Sequence, residues 1–278
     1  MLRIFRFIKA LYKAYIKDEL AGLSAQVAYF LLLSIFPFLL FLMTLITKSP
    51  LQDVDILGPL VHILPYDTFK FLKNNLLNLA QRRKLKLFSI GLLGTLWAAS
   101  NGVGAIIVGL NKAYNVKEKR SFIRIKLVSI VFTLALSFVV ILYFTLLVFG
   151  KRLGVFFTSI GLSQNLRAIW DIFRFVIPIS MMVIVFACIY RFTPCSRLGW
   201  REVLPGAIFT TVGWLVASLA FSYYLDNIWN IELVYGSIGS FIALLIWLYL
   251  SATLLLLGGQ VNALLAFSQR PEGIRFCK

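Results

Sequence analysis

The chain has 278 residues, of which 60% are hydrophobic and 14% charged, with a mean hydropathy of +0.88. A soluble domain is about 45–50% apolar and about a quarter charged, so this composition excludes an ordinary water-soluble globule. The 28 Lys and Arg against 11 Asp and Glu give a formal charge of +17, carried almost entirely between the apolar runs, as in a polytopic membrane protein flanked by anionic lipid.

The first seventeen residues predict an amphipathic helix lying in the membrane interface. Arg3, Arg6, Lys9, Lys13 and Lys17 recur every three or four residues, and Ile4, Phe5, Ile8, Leu11, Tyr12, Tyr15 and Ile16 fill the opposite arc. Basic followed by apolar sequence also describes a secretory signal, but here the apolar run is too long and no small-x-small cleavage pattern follows, so it reads as retained.

A helix needs about 20 apolar residues to cross a hydrocarbon core, and six stretches qualify: 22–47, 88–110, 126–149, 172–191, 203–225 and 236–262. They are continuous runs without the in-out alternation of barrel strands, which predicts helices. The fold class is therefore an all-α membrane protein, a bundle of six transmembrane helices with an interfacial helix at 1–20 and a tail at 263–278, forming a single membrane domain. The first loop, 48–87, carries Phe69, Leu72, Leu76 and Leu79 at helical spacing behind Asp67 and Thr68, which predicts an amphipathic helix on the outer face.

With the N-terminus inside, the larger share of Lys and Arg falls in the inner loops, so both termini are expected in the cytoplasm. The basic cluster Arg82 to Lys86 is discordant, since this topology places it outside. A nucleic-acid partner is not expected, because the 25 Phe and 11 Tyr sit mostly inside apolar runs rather than beside the basic residues. Cys188, Cys195 and Cys277 form no C-x-x-C pair, so neither a disulfide framework nor a redox site is indicated.

Chemistry needs titratable groups gathered in a site. The acidic residues lie in loops or at span ends, the lone His62 sits in the first loop beside Pro65, and no H-E-x-x-H, P-loop or G-x-S-x-G motif occurs. No catalytic residue, metal or cofactor is expected, and the chain does not read as an enzyme.

Inside the spans the polarity is neutral. Gln26, Tyr29, Asn101, Asn111, Gln260 and Asn262 are the candidate lining of a polar cleft toward the inner leaflet, because unpaired amides facing lipid would each cost several kcal/mol. The bland account is that these groups simply hydrogen-bond neighbouring helices. Lys112, Arg197 and Arg201 are the candidate contacts for a phosphate headgroup. Pro37, Pro178, Gly236 and Gly239 are candidate helix breaks, where freed backbone groups could hold a ligand. Ala98, Gly102, Gly213 and Ala217 suit helix packing.

Asp18-Glu19-Leu20-Ala21, Ala28-Tyr29-Phe30 and Ser34-Ile35-Phe36-Pro37 resemble the first span of the YihY/BrkB family. Trp97 to Gly102 with Gly109 to Tyr114 resembles its second span, and Leu204-Pro205-Gly206-Ala207, Tyr235 to Gly239, Trp247-Leu248-Tyr249 and Gly258 to Ala263 resemble its last two. The resemblance covers residues 10 to 267 and implies a six-helix protein of the bacterial inner membrane. The family's names carry a link to virulence through serum resistance and a ribonuclease BN label. Metal-dependent RNA cleavage needs clustered ligands that this sequence lacks, so ribonuclease activity is not expected.

The expected function is movement of a lipid or other amphiphile across or within the cell envelope, with anionic membrane lipids as partners. The alternative is a non-transporting scaffold or regulator of envelope proteins, bound to another copy of itself or to an envelope partner.

Overall fold

The apolar runs are helical wherever the computed structural model describes them, over residues 2–48, 85–135, 138, 164–195, 198–227 and 237–269. Seven helices stand among these: α1 (Leu2–Lys17), α2 (Leu20–Lys48), α3 (Leu85–Ala113), α4 (122–135), α5 (Gln164–Phe192), α6 (Trp200–Asn227) and α7 (Ser237–Gln269). No strand occurs among the described residues. The helix proposed for the first loop, His62, Arg82 to Lys84, Arg197, Gly236, Cys277 and most of the third apolar run beyond 135 lie outside them.

Three helices are long and apolar enough to cross a membrane, over Leu93–Ala113, Trp200–Leu225 and Phe241–Ala266. A fourth candidate is the pair Phe5–Lys17 and Leu20–Ile35, parted by a break, and Val176–Phe192 is a shorter apolar helix. Large apolar side chains on these helices stand exposed, among them Leu93, Trp97, Val216 and Leu219. In water they would aggregate; in hydrocarbon they are solvated.

The two prolines named as candidate breaks, Pro37 and Pro178, are absorbed. α2 stays helical through Pro37 and α5 through Pro178, as membrane helices often do when neighbouring groups take up the lost hydrogen bond. α7 does not stop at Asn262 but continues to Gln269, since the apolar Ala263, Leu264, Leu265 and Ala266 extend the helix.

The helix ends are specified locally. α1 closes with the Asp18 amide on the Ala14 carbonyl, followed by Glu19 at φ 55°, which lets the chain leave the helix before Leu20 starts α2. α3 ends in a Schellman motif: Asn115 at φ 51° donates to the Lys112 carbonyl and Val116 to that of Asn111. α6 begins with half of a capping box, the Glu202 carboxylate accepting the Gly199 amide at 2.6 Å.

The contacts divide the chain into two units, and α3, α6 and α7 contribute to both. The first holds residues 1–18, 107–213 and 255–278; the second holds 19–106 and 214–254. Within the second unit a methyl added at Gly94 would meet the Pro37 ring at 3.3 Å, and one at Gly102 would meet Phe30 and Leu31. Trp214 donates to the Ser251 hydroxyl at 3.1 Å, and its ring lies 5.4 Å from that of Trp247, which also stacks on Phe221. Ser34, Thr95 and Ser100 bond carbonyls of their own helices, which satisfies a hydroxyl in an apolar setting without a partner helix.

Candidate functional site

The first unit contains the polar chemistry. At its centre α6 and α7 meet backbone to backbone at Gly206 and Gly258, where a methyl on either residue would overlap the other strand of the contact. The side chains around this crossing are buried and hydrogen-bonded. Asn262 accepts from the Gly206 amide at 2.6 Å and donates to the Val203 carbonyl at 3.1 Å. Tyr190 from α5 shares a 2.6 Å hydrogen bond with Thr210 and donates to the Leu255 carbonyl at 2.7 Å.

Tyr114 lies in the same region, fully buried, its hydroxyl without a direct hydrogen bond. Burial pushes its phenol well above the ordinary value, and the nearby Asn262 amide offsets only part of that. The group stays neutral at any working pH.

A second polar layer ties the end of α3 to the turn between α5 and α6. Asn111, almost fully buried, accepts from the Cys195 amide at 2.7 Å and donates to the Glu118 carboxylate at 2.7 Å. Glu118 pairs with Arg120 at 2.7 Å, and Arg120 also donates to the Thr193 carbonyl at 2.7 Å. The Arg120 guanidinium holds the Glu118 carboxyl down at about 2 against the opposing effect of desolvation. Arg191 donates to the Leu198 carbonyl at 3.0 Å and lies 4.6 Å from the centre of the Trp200 ring, a cation–π contact that fixes the same turn.

Beside this layer opens a cavity of about 590 Å³, lined chiefly by Lys17, Asp18, Asn111, Lys112, Lys117 and Lys119. Three features shape it. The break after Lys17 ends α1 at its edge, the Schellman turn directs residues 116–119 away from the axis of α3, and Gln260 of α7 donates to the Asp18 carboxylate.

Of the six amides and phenols singled out from the sequence, Asn111, Gln260 and Asn262 are buried in the first unit. Gln26 and Tyr29 are exposed and Asn101 is half-buried, all three in the second unit. Lys112 lines the cavity, and Arg201 is exposed on the first turn of α6. The lysines at 17, 117 and 119, Asp18, and the Glu118–Arg120 pair were not singled out as site residues. The only hint in sequence was alternation, Lys117-Glu118-Lys119-Arg120, which becomes meaningful once Glu118 is seen turned to Arg120. Among the described residues no three His, Cys, Asp or Glu side chains come close enough to hold a metal ion.

Long apolar helices that carry exposed apolar side chains define a membrane protein with several apolar helices. Its family follows from comparison with known proteins. The family model described as Virulence factor BrkB matches residues 11–274, and the chain belongs to that family. It is 40% identical over 260 residues to the ribonuclease-like protein YfkH of Bacillus subtilis (strain 168), covering 93% of this chain and 94% of that one. It is 27% identical over 146 residues to a UPF0761 membrane protein of Xanthomonas campestris pv. campestris (strain B100), 49% of this chain and 34% of that protein. No solved structure matches.

Proposed function

We propose that this chain is a six-span protein of the bacterial inner membrane, with both termini in the cytoplasm, that moves a lipid or other amphiphile across or within the envelope. The observation that carries the reading is the cavity at the foot of α1. That helix shows an exposed apolar stripe, Phe5, Ile8, Tyr12 and Ile16, next to an exposed basic one, Arg6, Lys9, Lys13 and Lys17. An interfacial helix buries the first stripe among acyl chains and sets the second against headgroups. Its last basic residue, Lys17, lines the cavity together with Lys112, so a headgroup gathered by the helix is delivered to a polar basin. The reading assigns no catalytic step, and the ribonuclease-like name of the Bacillus relative is not carried over.

The test is reconstitution of the purified protein in liposomes containing a fluorescent phospholipid, with dithionite quenching to follow exchange between leaflets. Faster exchange than in empty liposomes supports the reading. No exchange, together with a stoichiometric protein partner on purification, supports a scaffold instead. Reporter fusions at the C-terminus, active only in the cytoplasm, test the topology.

A further inference from the structure

A long-range contact holds the foot of α1. From Phe5 to Lys17 none of the side chains of this helix is buried, and Phe5, Ile8, Tyr12 and Ile16 are each more than half exposed. A helix this exposed gains little from packing against the rest of the chain, so lipid and the bonds at its end decide where it lies. A bilayer fixes the depth and roll of an interfacial helix, because the apolar stripe must face acyl chains and the basic stripe headgroups. It does not fix the direction of the helix in the membrane plane, since the lipid contacts are the same whichever way the helix points.

That direction is left to the protein. Asp18, the residue after α1, closes the helix with its amide on the Ala14 carbonyl, and its carboxylate accepts from Gln260 of α7 across 242 positions. Gln260 is 2% exposed; a buried amide is costly unless paired, and a carboxylate is the stronger kind of acceptor. The post on which Gln260 stands is rigid. Gly258 and Gly259 bring α7 against Thr210, Tyr190 and Leu110, and Asn262 is bonded to Gly206 and Val203. On the side of the arm, Lys17 lines the cavity immediately beside Asp18.

We propose that Gln260 is the positioning residue of α1: by holding Asp18 it fixes the direction of the helix along an anionic lipid surface and keeps Lys17 at the cavity, without touching a ligand itself. The link to amphiphile movement rests on the function proposed above, whereas the fixing of α1 rests on the Asp18–Gln260 contact.

The experiment places nitroxides at Lys9→Cys on α1 and Ser121→Cys before α4, both exposed and outside the cavity lining, in a background lacking Cys188 and Cys277. Their separation is measured by pulsed electron resonance in liposomes containing phosphatidylglycerol; Cys195, 1% exposed, stays unlabelled. With Asp18 and Gln260 in place, one narrow distance distribution is expected. Gln260→Leu, which keeps the volume but cannot donate, and Asp18→Ala should each widen it by about twofold or more, as a freed arm swings in the plane. The double variant should be no wider than either single one, because both remove the same bond. Asp18→Asn/Gln260→Glu swaps amide and carboxyl, restores the bond and should return the distribution to its starting width.

A merely structural role would lower the melting temperature of Gln260→Leu and leave the distances unchanged, and that result overturns the proposal. So do widths that add in the double variant, or a swapped pair that stays as wide as Gln260→Leu. If Gln260→Leu does not fold, Asp18→Ala, at the half-buried end of the arm, carries the same test. Leaflet exchange, measured in the unlabelled proteins, separates the two readings. Slower exchange in both single variants, recovered in the swapped pair, joins the arm to transport. Distances that respond in a protein without leaflet exchange remove the transport reading and leave the positioning role; leaflet exchange with distances that do not respond does the reverse.

Discussion

Replacing Gly206 by Ala should be the most damaging single-methyl change in the first unit. The added carbon would overlap the Gly258 carbonyl oxygen and come within 2.5 Å of Asn262 Nδ2. Neither can step aside, because the first is backbone and the second is held by hydrogen bonds to Gly206 and Val203. Overpacking of a tight contact costs about 1–3 kcal/mol, and losing the two Asn262 hydrogen bonds adds about 2 kcal/mol. Better helix propensity returns about 1 kcal/mol, so the net loss is about 2–4 kcal/mol.

Gly258→Ala meets the Thr210 hydroxyl, which can rotate at the expense of its hydrogen bond to Tyr190, as well as the Tyr190 phenol, and comes only to 2.8 Å of the Gly206 carbonyl oxygen. Gly259→Ala meets the tip of Leu110, a flexible end, and should be near neutral once propensity is counted. The expected order of loss is therefore Gly206, then Gly258, then Gly259. Thermal unfolding of the purified protein in detergent reads it, with Gly206→Ala melting about 4–16 °C below wild type at about 2–4 °C per kcal/mol. A Gly206→Ala protein melting within a degree of wild type, or below which Gly259→Ala falls, would refute the close approach of α6 and α7.

Other outcomes follow from the second polar layer. Glu118, held at about 2 by Arg120 from a usual value of 4.5, contributes stability that is present above pH 4.5 and is lost as pH falls toward 2. Glu118→Gln should accordingly flatten the acid limb of a stability–pH curve, and an unchanged limb would show that the pair contributes nothing. Asn111→Ala leaves the buried Cys195 amide without its acceptor, at a cost of about 1–3 kcal/mol. In a background lacking Cys188 and Cys277, maleimide labelling of Cys195, which is 1% exposed, should then accelerate; labelling at the wild-type rate would contradict the contact. Asn111→Asp keeps the acceptor for Cys195 but sets a carboxylate against that of Glu118, so it should melt below Asn111→Ala at pH 7 and recover at pH 4.

The membrane class, the helical state of the apolar runs where they are described, and the family were legible in the sequence because each rests on local or summed properties. Continuous apolar runs of span length, with charge confined between them, have few physical alternatives. The basic and apolar stripes of α1 were also readable, since a 3.6-residue period is a property of one segment alone. Pro37 and Pro178 show the limit of that reasoning: a proline signals a freed carbonyl, but whether the helix breaks or absorbs it depends on what packs alongside.

The polar site was not legible, because its members come from distant parts of the chain. Asp18 meets Gln260 across 242 positions, and Asn111 meets Cys195 across 84. Nothing local tells an amide that pins a turn from one that faces a cavity, and Asn111, Gln260 and Asn262 looked alike in sequence. Composition and periodicity determined by themselves that this chain is a membrane protein with several apolar helices and a basic helix at its start. Only tertiary packing decided which glycines let two backbones touch, which carboxylate Arg120 would occupy, and hence which lysines line a cavity, since those outcomes depend on contacts that no single segment contains.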